Sequence, residues 1–155
     1  MDDSGQLATL VEAHADALLL YARQWNDAIA EDVVQEAFLR LIREPQMPTS
    51  PKSWLYRVVR NEMIDRLRHQ QMRQRVHSII ANDWFEPPPD KSREDAEELA
   101  VALKRLPDQQ REIIVAKIWS DLTYDEIAAL MNLSKSHVHR LYHEGLSTLR
   151  TFFER

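Results

Sequence analysis

Cysteine is absent from the 155 residues. Disulfides, thiolate metal sites and cysteine nucleophiles are excluded together. Glycine is nearly absent, with Gly5 and Gly145 the only two. A phosphate-cradling loop needs several glycines close together, so nucleotide-binding enzymes of that kind are not expected. Long apolar runs are missing too. The longest, Ala17 to Ala22, falls far short of the about 20 residues that a membrane-spanning helix needs. The N-terminus, Met1-Asp2-Asp3-Ser4, is acidic and has no basic-then-apolar signal. There is no basic excess either: 20 Lys and Arg stand against 25 Asp and Glu, a net charge of −5. That excludes a uniformly basic nucleic-acid coat but leaves room for a local basic patch. A cytoplasmic chain with no membrane insertion is expected. Apolar residues form 44% of it, enough for a folded core, and the length suits one domain or two small ones.

What is present is helical periodicity. Leu7 to Trp25 carries Leu7, Leu10, Val11, His14, Leu18, Tyr21, Ala22 and Trp25 at helical spacing. A second helix fits Ala28 to Glu44, with Val33, Val34, Ala37, Phe38, Leu41 and Ile42 on its packed side. Pro45, Pro48 and Pro51 then mark a loop. Ser50 before Pro51 suits an N-cap and first helical position, and a long helix is predicted from there to about Ile80. Glu86-Pro87-Pro88-Pro89-Asp90 reads as an extended linker, and Trp84 and Phe85 are open to two readings, packing on a neighbouring helix or contact with a partner. Further helices are predicted over Ser92 to Leu106, closed by Pro107, and over Asp108 to Trp119. No strand-like alternation occurs, so the expected fold is all-α. It comprises two small helical domains, residues 1–80 and 94–155, joined by a flexible Pro-rich linker over 81–93.

The densest local signal lies near the C-terminus. Thr123 and Glu126 are spaced as a capping box. Asn132 sits where a tight helix-to-helix turn needs a left-handed residue. Ser134 is placed as the next N-cap. Ile127, Met131, Leu133, Val138 and Leu141 fall where a helix-turn-helix needs its shared core. On a helical wheel Val138, Leu141, Tyr142, Gly145, Leu146, Leu149, Phe152 and Phe153 form the packed face. Ser136, His139, Arg140, His143, Ser147 and Arg150 form the opposite face, free to enter a major groove. His139 and His143 also have the i, i+4 spacing of helical metal pairs. A third ligand is wanting, so no metal site is expected.

Lys52 to Arg75 holds seven basic residues (Lys52, Arg57, Arg60, Arg66, Arg68, Arg73, Arg75) against the acids Glu62 and Asp65. Arg57, Arg60, Asn61, Ile64 and Arg68 share one face, suited to tracking a phosphate backbone. Leu55, Val58, Val59, Met63 and Leu67 take the other, and Glu62 is spaced to pair with Arg66. Trp54 and Tyr56 stand at the head of this helix, open to two readings: base stacking or, for Trp54 above all, core anchoring. On the second helix Asp32, Gln35, Glu36, Leu39 and Arg43 face away from the core, and the apolar Leu39 among them suggests a protein-docking surface.

These segments together resemble the extracytoplasmic-function sigma factors of the sigma-70 family. Ala30 to Leu41 looks like the family's core-polymerase-binding segment. Pro51 to Asn61, continuing through Ile64 to Arg68, looks like its −10-element helix. Leu106-Pro107 with Gln110-Arg111-Glu112 opens a segment similar to region four. The resemblance implies a subunit that binds core RNA polymerase and directs promoter recognition and opening, with no catalytic residues and no cofactor of its own. It implies polymerase contacts at Asp32, Gln35, Glu36 and Leu39. It implies −10 DNA contacts at Lys52, Trp54, Arg57, Arg60, Asn61 and Arg68, beside a base-capturing loop over Pro45 to Ser53. It implies −35 contacts along the helix from Lys135, expected at Lys135, Ser136, His137, His139, Arg140 and His143. An inhibitory anti-sigma partner is a further expectation. Leu141 and Glu144 stand where the family is often basic, and three histidines stand near them. Read without the resemblance, the helix-turn-helix also suits a stand-alone DNA-binding regulator, and His139 with His143 a metal-dependent hydrolase.

Overall fold

The computed structural model describes residues 3–73 and 93–154, and of these the side chains of residues 5–70 and 94–154. The predicted linker, with Trp84 and Phe85, and the predicted helical extension over 74–80 lie outside the described residues. Among the described residues there are seven α-helices and no strand. They are α1 (Asp3–Arg23), α2 (Asp27–Arg43), α3 (Pro51–Arg73), α4 (Arg93–Arg105), α5 (Asp108–Ile118), α6 (Tyr124–Met131) and α7 (Lys135–Phe153). None of them is long and apolar enough to cross a membrane. The chain divides into two compact units, Met1–Ile80 and Ala81–Arg155.

In the first unit α1, α2 and α3 pack on one another. Leu18, Tyr21 and Ala22 of α1 meet Ala30, Val33, Ala37 and Leu41 of α2 and Leu55, Tyr56, Val59 and Met63 of α3 in a fully buried core. Each Leu, Val or Met among them contributes about 1.5–3 kcal/mol on leaving water. Tyr21 sets its ring edge-on to both Trp25 and Tyr56, each at 5.0 Å. The sharp turn between α1 and α2 is held by Asn26, whose side chain accepts from the Ala28 N–H at 2.9 Å and whose amide donates to Gln70 at 3.2 Å. Arg23 pairs with Asp27 across the same turn. Ser50 caps α3 as predicted, accepting from the Ser53 N–H at 3.4 Å.

Two assignments in this unit change. Tyr56 is 1% exposed. Its ring is a core anchor against Tyr21 and is not available for base stacking. Ile42, read as packed, is 56% exposed. The last turn of α2 and the first turns of α1 line an open groove of about 620 Å³, with Leu7, Val11, Ile42, Pro45 and Met47 in its wall, and Ile42 faces this groove.

In the second unit α5 is the central element. Ile113, Ile114, Val115 and Ala116 are all fully buried, as expected of a helix wrapped on every side. α7 lies against α5, and α6 and α4 also touch α7. Gly145 permits this approach: a Cβ there would fall 2.5 Å from Ile114 Cδ1. After α5 the chain turns through Asp121, which has a left-handed φ of 54°, and Leu122 N–H returns to Ala116 O at 3.2 Å. The predicted caps are present. Thr123 and Glu126 bond reciprocally at 2.9 and 3.1 Å. Asn132 adopts φ 56°, ψ 47°, and Leu133 N–H reaches back to Ala128 O at 3.0 Å, a Schellman-type ending. Ile127, Met131 and Val138 are buried, while Leu133 and Leu141 are half-buried. Phe153, assigned to the packed face, is 46% exposed. Arg105 covers the neighbouring Phe152 ring at 5.2 Å, and the Phe152 and Phe153 rings meet edge to face at 5.3 Å.

Candidate nucleic-acid and polymerase interfaces

α3 presents a polar, cationic side because its apolar residues are used on the other. Leu55, Val59 and Met63 are buried. Arg57, Asn61 and Arg68 are exposed, with Arg60 and Ile64 half-buried beside them. Arg57 and Asn61 are separated by one helical turn, so their side chains project side by side. Arg66 is drawn toward the helix's own Glu62 at 3.0 Å, and so offers its charge less freely than Arg57 or Arg68. Trp54 is half-buried in the first turn, close in sequence to the loop before Pro51. The Arg73 side chain and Arg75 lie outside the described residues.

Lys52, half-buried in the same turn, has an electrostatic neighbour in α1. His14 has its pKa held below the usual 6.5, first by burial and second by the Lys52 cation.

On α2 the predicted docking residues share one side of the helix. Asp32 and Gln35 are exposed and Glu36 is half-buried, with Arg43 at 3.8 Å from its carboxylate. Leu39 is 45% exposed. The exposed Ile42 adds a second apolar group about 60° from Leu39 around the helix axis. That addition was missed, although the signal was there. With Val33 at zero the buried positions end near about 140° at Phe38, and Ile42 falls at about 180°.

The second unit offers α7 behind a rigid turn. Ser134 caps it by accepting from the His137 N–H at 3.2 Å. Lys135 reaches Asp125 of α6 at 3.4 Å, a tie between the two helices of the motif. Ser136, His139, Arg140, His143, Ser147 and Arg150 are all exposed, as the wheel predicts. His137 is half-buried in the first turn and stands apart from the other two histidines. His139 and His143 are brought together, Nε2 to Nε2 at 3.2 Å, with ring centroids 4.3 Å apart. The Tyr124 ring lies 5.0 Å from His139, and the Tyr142 ring 5.5 Å from His143. Lys117 sits over Tyr124 at 4.7 Å. The Tyr142 phenol is pushed up from its usual 10.0 by burial and then by Tyr124, so it remains a neutral hydrogen-bonding group.

An α-helix held by a left-handed asparagine turn, with its packed side on α5 and a polar side exposed, is the geometry of a groove-reading helix. The comparisons with known proteins agree. The family description Sigma-70 region 2 matches residues 10–73, and Sigma-70, region 4 matches residues 102–151. The chain belongs to the extracytoplasmic-function sigma factors of the sigma-70 family. The RNA polymerase sigma factor CarQ of Myxococcus xanthus is 30% identical to it, over 81% of this chain and 75% of CarQ. SigE of Mycolicibacterium smegmatis, an ECF RNA polymerase sigma factor, is also 30% identical, over 92% of this chain. The match spans only 60% of SigE's own length. SigW of Bacillus subtilis is 27% identical over 96% of this chain and 89% of SigW.

Two solved structures share the fold. The sigma factor RpoE in complex with the anti-sigma factor NepR, from Bartonella quintana, superposes with a TM-score of 0.79 at 22% identity, covering 99% of this chain and 98% of RpoE. CnrH in complex with the cytosolic domain of CnrY gives 0.67 at 23% identity, covering 98% and 90%. As a member of this family the chain is a DNA-binding transcription initiation factor that directs RNA polymerase to promoters.

Proposed function

We propose that residues 1–80 form the unit that docks on core RNA polymerase and holds the opened −10 element. In the same reading residues 94–155 bind the −35 element and residues 81–93 link the two. Docking runs through Asp32, Gln35, Glu36 and Leu39 of α2. Carboxylate and amide groups around one exposed leucine make a polar rim about an apolar centre. On α3, Arg57, Arg60, Arg68 and Lys52 neutralise backbone phosphates, which releases counterions and makes binding salt-dependent. Asn61 and the exposed part of Trp54 meet unpaired bases, one by hydrogen bonding and the other by stacking. Because unpaired bases bind and paired ones do not fit, the same contacts favour melted over duplex DNA, and promoter opening follows from differential binding. In the second unit α7 enters the major groove with Ser136, His139, Arg140 and His143 outward, and Lys135 and His137 stand at its N-terminal end near the backbone. The chain catalyses no reaction itself and acts in the cytoplasm, subject to an inhibitory anti-sigma partner.

One observation carries this reading. The exposed cationic side of α3 and the exposed polar side of α7 are two separate DNA-suited surfaces on two units of one otherwise acidic chain. The test is run-off transcription on a genomic fragment library, with core polymerase alone and with the added chain. Discrete new start sites that need both components are expected. DNA binding without polymerase-dependent transcripts would instead identify a stand-alone regulator.

A further inference from the structure

The facing nitrogens of His139 and His143 are not explained by promoter reading. Two histidines one turn apart on an exposed helix face are free to splay into water. Here both rings turn inward, Nε2 toward Nε2 at 3.2 Å, tilted 52° to each other. At this distance one Nε2–H can donate a hydrogen bond to the other Nε2, the direction depending on the tautomer. The spacing also fits a chelate. Metal–imidazole bonds of about 2.0–2.1 Å closing on two nitrogens 3.2 Å apart subtend about 100° at the ion. That lies between the tetrahedral and square-planar angles of about 109° and 90°. The reorganisation needed to admit an ion is confined to the two side chains: one Nε2 proton moves to Nδ1, and each ring turns so that its lone pair meets the ion off the N···N line. The Tyr124 and Tyr142 rings brace the pair from the side, which limits the rotamer freedom that binding would otherwise have to freeze.

We propose that His139 and His143 form a two-histidine clamp for a divalent transition metal ion on the exposed side of α7. The chemical class follows from the donors. Imidazole nitrogen suits Zn²⁺, Ni²⁺ and Cu²⁺, whereas Mg²⁺ and Ca²⁺ demand oxygen. The sequence argued against a metal for want of a third ligand, and among the described residues no group of three His, Asp or Glu ligands exists. The clamp does not need one. The remaining positions are open to water, as in any surface chelate. A bound ion adds two positive charges to the helix side proposed to approach phosphates. The clamp itself does not depend on that reading and is measured without DNA.

The test uses the full chain and Ni²⁺ alone, in a buffer that does not chelate. Calorimetric titration is expected to give one ion per chain. His139→Ala and His143→Ala, both at exposed positions that leave the fold intact by circular dichroism, each weaken binding at least about tenfold. His69→Ala and His137→Ala leave it unchanged. Paramagnetic broadening of amide resonances by Ni²⁺ is expected to centre on the turn between His139 and His143. Affinity that survives both α7 substitutions, or broadening centred elsewhere in the chain, would overturn the clamp.

Discussion

The contact between Gly145 and Ile114 can be tested atom by atom. In Gly145→Ala the new Cβ would stand 2.5 Å from Ile114 Cδ1, against 3.4 Å to Cγ1 and 3.5 Å to the Gln110 Cβ. Carbon atoms rest about 3.5–4.0 Å apart, so the δ-methyl must retreat by about 1 Å. Ile114 is 0% exposed, which leaves that methyl no open space to enter. Overpacking of this kind costs about 1–3 kcal/mol. Alanine recovers about 0.8–1.0 kcal/mol of helix propensity over glycine, for a net loss of about 0–2 kcal/mol. Ile114→Val deletes the offending methyl, and alone it costs about 0.5–1.5 kcal/mol. In the double variant the Cβ of residue 145 fills the space that the methyl leaves. Its stability is therefore expected within about 0.5 kcal/mol of the parent or above it, with a coupling of about 1 kcal/mol or more between the sites. Hydrogen exchange of the α5 amides in the full chain reads the opening free energy of this unit without interference from the other. Additive losses, or a Gly145→Ala variant stabilised by the full propensity gain, would show that α7 does not press on α5 through this pair.

Three further outcomes are expected. Gln35→Ala combined with Leu39→Ala should weaken core-polymerase binding by about tenfold or more, the scale of a truncated interface centre, at an unchanged melting temperature. Full affinity in the double variant would remove the α2 docking side from the mechanism. Asn61→Ala should leave polymerase binding intact and lower permanganate reactivity of −10 thymines, whereas equal reactivity would mean that this side of α3 is merely solvated. Because His14 is held below its usual pKa by burial and by Lys52, the unfolded chain takes up a proton near pH ~6.5 that the folded chain refuses. Its contribution to stability is thus complete above about 6.5 and is lost as the pH falls toward the lower folded value. Denaturant midpoints across this range should fall less steeply in His14→Gln than in the parent, and parallel profiles would count against the assignment.

Local chemistry was the most legible part of this chain. Thr123 with Glu126, Asn132 and Ser134 each announce a backbone event through their own side chain or conformational tolerance, and each is found where it was read. Asn26 announces its cap in the same way, yet the helix was first placed from Ala28, one residue late. What a single-helix wheel cannot hold is the far side of a contact. Ile42, Tyr56 and Phe153 were assigned by direction alone, and their exposure depends on whether another helix reaches them. Asp121 escaped for a related reason. Its left-handed conformation is held by a bond between Leu122 and Ala116, and no neighbouring residue advertises it. Among the candidate site residues, Asp32, Gln35, Leu39, Arg57, Asn61, Arg68, His139, Arg140 and His143 are exposed as their spacing required. The inward turn of the two histidine rings rests on side-chain torsions, which carry no periodic trace in the sequence.

In the proposed reading one end of α7 meets DNA and the other end seats the helix on its own unit. The N-terminal half, from Lys135 to His143, is tied to α6 through Lys135 with Asp125 and through Tyr124 with His139 and Tyr142. The C-terminal half is clasped by α5 at Gly145 and by α4 at Phe152. A straight helix carries any change of seat at one end to the other as a rotation or translation. At about 1.5 Å rise per residue, Gly145 lies about 9 Å from His139 along the axis. Phosphate contacts tolerate such a shift better than base contacts do, because charge attraction is less directional than hydrogen bonding to a base edge. Gly145→Ala is therefore expected to reduce discrimination between −35 sequences more than total affinity for DNA, and Ile114→Val should restore it. Competition binding of the full chain in holoenzyme to matched and mismatched −35 elements measures the difference. Discrimination that is unchanged in Gly145→Ala would mean that α6 alone sets the reading helix in place.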